Sequence, residues 1–168
     1  MLFWLVIALV GAGVHLAVRH RRGQTTDGAG LLLDWVLLSA VGLAGLVAAV
    51  AHTAFAVPTA MGIGFPPGNP FQYEVAVANL AIAVLAFAGV RAHGAVRSAA
   101  GLTGGIWLGG DAIVHTYELV AHGNTAPNNS GLFLVVEVVI AVLLLGLTWY
   151  TSTEHAPVRM PRTTPRHT

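Results

Sequence analysis

Asp111, His115, Glu118 and His122 stand at spacings of four, three and four, which on a helix stacks two carboxylates and two imidazoles along one face. Such a stack can hold a cation, exchange protons or accept hydrogen bonds from a ligand. His52, Glu74 and Glu137 join it as candidates, because each lies in an otherwise apolar stretch of chain. An unpaired charge inside a membrane span costs roughly 2.5–3.5 kcal/mol or more, so ionisable groups there mark sites by default. The chain has no cysteine. Disulfides and thiolate chemistry are thereby excluded, and any metal must be held by His, Asp, Glu or amide oxygens.

The elements that must position these residues are read from hydropathy. The chain has 168 residues, of which 55% are hydrophobic and 9% charged, whereas a soluble domain needs about 25% charged residues to keep its surface solvated. Disordered chains are polar and charge-rich, so disorder is excluded as well. Crossing ~30 Å of hydrocarbon takes ~20 apolar residues, and five segments meet that need, at about 2–18, 29–54, 71–90, 99–121 and 131–150. The expected fold is an all-α integral membrane bundle of five transmembrane helices in one domain, 1–150. A disordered cytoplasmic tail, 151–168, is expected to follow. The apolar runs are continuous rather than alternating, which excludes barrel strands. Val57 to Pro70 holds Pro58, Pro66, Pro67 and Pro70 and reads as a loop. The first segment lacks basic residues before it and carries Arg19, Arg21 and Arg22 after it, an order expected of a spanning helix and not of a secretory leader.

All eight basic residues are arginines, at 19, 21, 22, 91, 97, 159, 162 and 166. They fall in the connections between segments 1–2 and 3–4 and in the tail. The positive-inside rule makes those segments cytoplasmic and puts the N-terminus and the two arginine-free loops outside, in a multi-pass plasma-membrane protein. Of the seven acids, Asp27, Asp34 and Glu154 lie at the cytoplasmic side, where Asp34 suits a nearby arginine. The other four, Glu74, Asp111, Glu118 and Glu137, lie inside apolar spans.

At 1.5 Å per residue, Glu74 and Glu118 are each about one turn below the outer surface, His115 and Glu137 about two, and Asp111 about three, with His52 near the outer end of its span. Polar groups from four helices are therefore expected to meet in the outer half of the bilayer. No arginine lies there to balance them. Protonation of some acids, charged histidine partners or a bound cation would each do so. His52, Glu74, His115 and Glu137 are the expected metal ligands, for zinc, manganese or iron. The di-metal bundles use Glu-x-x-His, however, and here the order is His115-x-x-Glu118. Glu118 and His122 read equally well as interfacial groups, and Asp111 as a hydrogen-bonding residue at a close helix contact. His15 reads as a helix–helix hydrogen-bonding residue. Gly101, Gly105 and Gly109 form a small-xxx-small stripe on which a neighbouring helix can pack. Asn128-Asn129-Ser130 fits a glycosylation sequon but is expected to cap the fifth helix.

Two blocks carry a resemblance. Pro70-Phe71-Gln72-Tyr73-Glu74 is followed by Ala78-Asn79-Leu80-Ala81, and His115 is followed by His122-Gly123-Asn124-Thr125-Ala126-Pro127-Asn128-Asn129-Ser130-Gly131. Together with Trp35 and His52 they resemble a bacterial family of small polytopic membrane proteins of unknown function, over roughly residues 31–148. Glu137 stands where that family tends to carry an acid, more often Asp. The resemblance implies a shared fold and outer site, without an activity. It adds Asn79 and Asn124 to Asp111, Glu118 and His122 as expected ligand contacts.

Three functional classes follow. One is an outward-facing Glu/His site that binds a divalent metal or small ligand. Another is a proton or cation transporter, for which the cytoplasmic halves of the spans offer little beyond Asp34, Ser39 and Thr103. The last is an accessory subunit, paired with other membrane subunits or with its own copies. Haem between His52 and His115 is a further expected cofactor, with less support than a divalent metal. The bilayer is the one partner common to all three. Nucleotide and nucleic-acid binding have no support, since the glycines match neither phosphate-loop pattern and the tail holds only three arginines.

Overall fold

Helix-forming apolar runs dominate the chain, and the computed structural model, which describes residues 1–154, accordingly contains six helices and no strand among those residues. They are α1 (Leu2–Arg21), α2 (Gly28–Ala54), α3 (Ala56–Ile63), α4 (Phe71–Ala92), α5 (Gly94–His122) and α6 (Leu132–Glu154). The expected tail falls outside the described residues from position 155 on, with Arg159, Arg162 and Arg166; residues 151–154 complete α6. Four helices, α1, α2, α4 and α6, are long and apolar enough to cross a membrane. Five were expected. The difference is α5, which at 29 residues is the longest helix but is made too polar by Arg97, Asp111, His115 and Glu118 to qualify on composition.

The boundaries move for identifiable reasons. The Arg19–Arg21 turn belongs to α1, where positive charge complements the carboxyl end of the helix dipole. Helix α3 occupies half of the expected 57–70 loop, because Pro58 sits in its first turn, where the missing N–H leaves no bond unmade. It ends at Gly64, whose φ of +84° suits only glycine. The Asp27 carboxylate caps α2 by accepting the Gly30 N–H at 2.9 Å.

Inside α2, residues Leu37–Leu43 form a π-helical turn. Ser39, wholly buried, causes a local competition there: its hydroxyl is 2.9 Å from the Trp35 carbonyl and 3.0 Å from the Trp4 carbonyl of α1. From this turn onward α2 presents small residues, Ala40, Ala44, Gly45 and Ala48, toward the interior. On the side of the bundle that carries the arginines, Leu33, Val36, Leu37, Ile140 and Leu144 are fully buried and form a dry core. The two halves are thus packed differently. The small residues of α2 leave space where the large ones fill it.

Helices α5 and α6 make an extensive contact, and the glycine stripe lies in it. Gly101 faces Thr148, Gly105 faces Leu144 and Leu145, and Gly109 faces Ala141. At the arginine-bearing end, Asp34 of α2 pairs with Arg97 of α5 at 3.5 Å and with His93 at 3.8 Å. His15 of α1 receives the Trp35 indole N–H at 3.4 Å, the helix–helix contact expected of it.

His93, between α4 and α5, has a φ of +56°, a left-handed value for a non-glycine residue. Such strain costs of order 1–3 kcal/mol, while a glycine returns about 0.5–1 kcal/mol through its freer unfolded chain. Arg97 stays on Asp34 in the variant. His93→Gly is therefore expected to stabilise the protein by about 1 kcal/mol, read as a rise in thermal midpoint in detergent. A fall would show that the His93–Asp34 pair outweighs the strain.

Candidate functional site

The space left by the small face of α2 is a cavity of about 620 Å³, lined by Met1, by α2, α4, α5 and α6, by Ala60 and Ile63 of α3, and by parts of the loops after α3 and α5. It lies at the end of the bundle that carries no arginine. Exposed residues Phe65, Pro66 and Asn69 border it, so it reaches the molecular surface there. Its wall is mostly apolar, with Phe71, Trp107 and Phe133 supplying ring surface. A few polar side chains break that wall, the composition expected of a small-molecule site.

His115 of α5 is the best-determined of them. Its Nδ1 is 2.7 Å from the Asn129 Oδ1, while the Asn129 amide donates both its protons, to the carbonyls of His115 at 3.3 Å and Asn124 at 2.9 Å. An oxygen facing Nδ1 can only accept, so Nδ1 carries the proton, and in the neutral imidazole Nε2 is the free acceptor. That Nε2 faces Glu137 of α6, 3.9 Å from its Oε2. His52 of α2 is held in the same way by another carboxamide. Its Nδ1 is 3.1 Å from the Gln72 Oε1, and the Gln72 amide donates to the Ala56 carbonyl at 3.0 Å. Nε2 is again left as an acceptor. Asn79 of α4 donates to the Val75 carbonyl of its own helix at 2.9 Å, which leaves its side-chain oxygen unused.

Glu137 has only 3% of its side chain exposed, and its Oε2 has no hydrogen-bond donor among the described residues. Asp111, one turn below His115, lines the same cavity and has no hydrogen-bond or ion-pair partner among them either. A buried carboxyl oxygen with no donor costs on the order of 1–3 kcal/mol, and native proteins retain few of them without a use.

Of the nine residues expected in the site, His52, Asn79, Asp111, His115 and Glu137 line this cavity. Glu74, Glu118, His122 and Asn124 do not. Glu74 is exposed in the first turn of α4, where an acid complements the helix dipole. Glu118 and His122 pair with each other at 3.1 Å, one turn apart, and His122 also meets the edge of Tyr117. Theirs is the interfacial role. Asn124 is structural: its amide donates to the Ile63 carbonyl at 3.0 Å, and its Oδ1 accepts the Ala126 N–H at 3.1 Å. With the Asn128 N–H bonded to the Gly62 carbonyl at 3.0 Å, it ties the loop after α5 to the end of α3.

Of the expected metal set, His52, His115 and Glu137 line the cavity and the exposed Glu74 does not, and among the described residues no group of three or more His, Asp or Glu comes together to hold a metal ion. The carboxamides Gln72 and Asn129, which fix both histidines, were missed. Asn129 was expected to cap the last helix, but it is wholly buried and spends its side chain on His115 and Asn124. A sequence signal did exist: both amides stand in the arginine-free loops or next to them, inside the two blocks that carry the resemblance.

The chain belongs to DUF6790, a family of unknown function, whose model matches residues 1–157. That agrees with the resemblance at the level of an uncharacterised family. No curated protein and no solved structure matches the chain.

Proposed function

We propose that this chain is a five-span plasma-membrane protein that binds a small organic ligand in an outward-facing cavity. The arginines at one end and their absence from the other support that orientation. The fifth span is α5, whose 29 residues reach about 43 Å. Asp111 and His115 of that helix line the cavity rather than the lipid face, which removes most of the cost of placing them in a membrane.

The observation that carries the reading is Glu137: a buried carboxyl oxygen without a donor, set in the wall of a roomy, mostly apolar cavity. A group kept at a cost to stability is the mark of a functional site. Glu137→Leu removes the uncompensated oxygen and is expected to raise the thermal midpoint by about 3–6 °C, from roughly 1–2 kcal/mol at about 3 °C per kcal/mol. A structural Glu137 would give a fall instead.

Ligand binding itself is tested by a thermal-shift screen of a fragment library spanning cations, neutral molecules and anions, on protein in lipid nanodiscs. At a hundredfold excess over Kd a ligand adds about 2.7 kcal/mol to the folded state. Fragments that stabilise the wild type and fail on Ala48→Phe, which fills the cavity from α2, are the expected outcome. The reading is overturned if no fragment of any class stabilises the wild type, or if all hits act equally on the filled variant.

A further inference from the structure

Most of the polar groups deep in the cavity offer hydrogen-bond acceptors. Glu137 presents an oxygen with no donor, and Asp111 a carboxyl with no partner among the described residues. His115 and His52 have their Nδ1 protons committed to Asn129 and Gln72, which leaves each an Nε2 lone pair. Asn79 spends one amide proton on the Val75 carbonyl, which leaves its oxygen and one N–H. Five side chains from four helices thereby offer acceptors. Two of them are acids. No arginine or lysine lines the cavity; its donors are the α-amino group of Met1, one amide N–H of Gln72 and the Trp107 indole N–H, while the carboxamides Asn69 and Asn128 stand on its exposed rim.

We infer that the ligand is a protonated amine with an apolar, preferably aromatic, body. This rests on the ligand-binding reading above and names its substrate class. The complement of a wall rich in acceptors is a donor, and two carboxyl groups set against the single α-amino group of Met1 favour a further positive one. A divalent metal would meet the same charge, but it needs three or more ligands brought together, and among the described residues no such group exists. An ammonium group makes no such geometric demand. Its three N–H donors can reach acceptors spread over several helices. The rest of the molecule then faces Phe71, Trp107 and Phe133 and the alanine face of α2, where an apolar body is buried and aromatic faces favour a neighbouring cation. An anion is disfavoured by the same wall, and a purely polar cation would leave the apolar lining unmatched.

The test uses three probes of one shape, 4-phenylbutylamine, 4-phenylbutan-1-ol and 4-phenylbutyrate, with zinc chloride as a fourth, titrated into the full-length protein in nanodiscs. The amine is expected to bind about tenfold or more tighter than the alcohol, and the carboxylate to bind more weakly than either. Glu137→Gln, which keeps shape and volume, is expected to bring the amine down to the level of the alcohol while alcohol binding stays within about twofold. Asp111→Asn provides the same comparison on a second helix, with a smaller loss. If the alcohol matches the amine in the wild type, or if the fragments displaced by filling the cavity prove neutral or anionic, the amine inference falls and ligand binding stands. If zinc binds with one-to-one stoichiometry and displaces the amine's advantage, the site is a metal site and the inference is wrong. If neither these probes nor the wider screen finds a ligand, both readings fall together.

Discussion

Asn129→Ala is expected to destabilise the protein by about 3 kcal/mol and to abolish any ligand response of the cavity at the same time. The residue is wholly buried, and its side chain makes three hydrogen bonds, to the His115 imidazole and to the carbonyls of His115 and Asn124. Alanine leaves the Asn124 carbonyl and an imidazole N–H without these partners and takes a second donor from the His115 carbonyl, at about 1 kcal/mol or more each, in a place from which water is largely excluded. It also frees the ring of His115 to turn. The Nε2 lone pair is then no longer directed at Glu137. Asn129→Asp is the informative companion, because it keeps the oxygen that faces Nδ1 and loses both donations. We expect it to fold less stably than the wild type while retaining part of the ligand response. Chemical denaturation in mixed micelles, with the thermal shift read in parallel, separates the two effects. Equal loss of response in both variants would mean that Asn129 supports the loop and does not orient the histidine.

The second large effect is at the α5–α6 contact. A Cβ built on Gly101 overlaps the Thr148 hydroxyl and comes within 3.2 Å of its Cβ. Without hydrophobic drive between helices in lipid, close packing of this kind carries much of the association. Gly101→Ala is expected to cost about 2 kcal/mol, in the range of overpacked cores. Thr148→Ala alone should cost well under 1 kcal/mol, because the Thr148 hydroxyl is buried with no hydrogen-bond partner among the described residues. The double variant should then recover most of the loss. A coupling of about 1.5 kcal/mol in that cycle is the expected outcome, measured by steric trapping or by denaturation in micelles. Additive effects would place the glycines in lipid and not in the helix contact.

Much of this arrangement is legible in the sequence because the physics of a membrane is restrictive. Apolar length gives the helices, and α2 runs from Gly28 to Ala54 where 29 to 54 was expected. The spacing of glycines predicts the face α5 turns to its neighbour, and the same helix carries Asp111 and His115 toward the cavity. Depth along a helix is also readable, since it depends only on rise per residue.

Rotation is what the sequence holds poorly. Glu74 has the right depth and the wrong azimuth: near the end of α4 a carboxylate is as well placed in the first turn, facing out, as facing in. Depth alone therefore groups Glu74 with His52, His115 and Glu137, while direction leaves it off the cavity that those three line. The pairing of Glu118 with His122 was visible as a spacing of four, but that spacing fits a self-contained surface pair as well as a site. Gln72 and Asn129 escaped because an amide beside a turn reads first as turn or cap chemistry. Their use lies in contacts made across the bundle, His52 to Gln72 and His115 to Asn129, and no local pattern carries such contacts. Helix α3 was missed for a related reason. Proline predicts a break in general, and only its position in the first turn makes it harmless.

The central claim is that the cavity in front of Glu137 opens to the exterior and takes up a ligand from there. The chain has no cysteine, so a single introduced thiol reports without background. Ala48→Cys places it on the cavity wall, on the α2 face, and Ser98→Cys places a control at the arginine-bearing end, where Ser98 meets Ser152. In intact cells, a small membrane-impermeant thiosulfonate is expected to modify the cavity thiol from outside and to spare the control until the membrane is opened. 4-Phenylbutylamine should slow modification at position 48 severalfold. Modification of Ser98→Cys from outside, with Ala48→Cys spared, would reverse the orientation. An Ala48 thiol that is modified from outside at the same rate with and without every ligand tested would contradict the account.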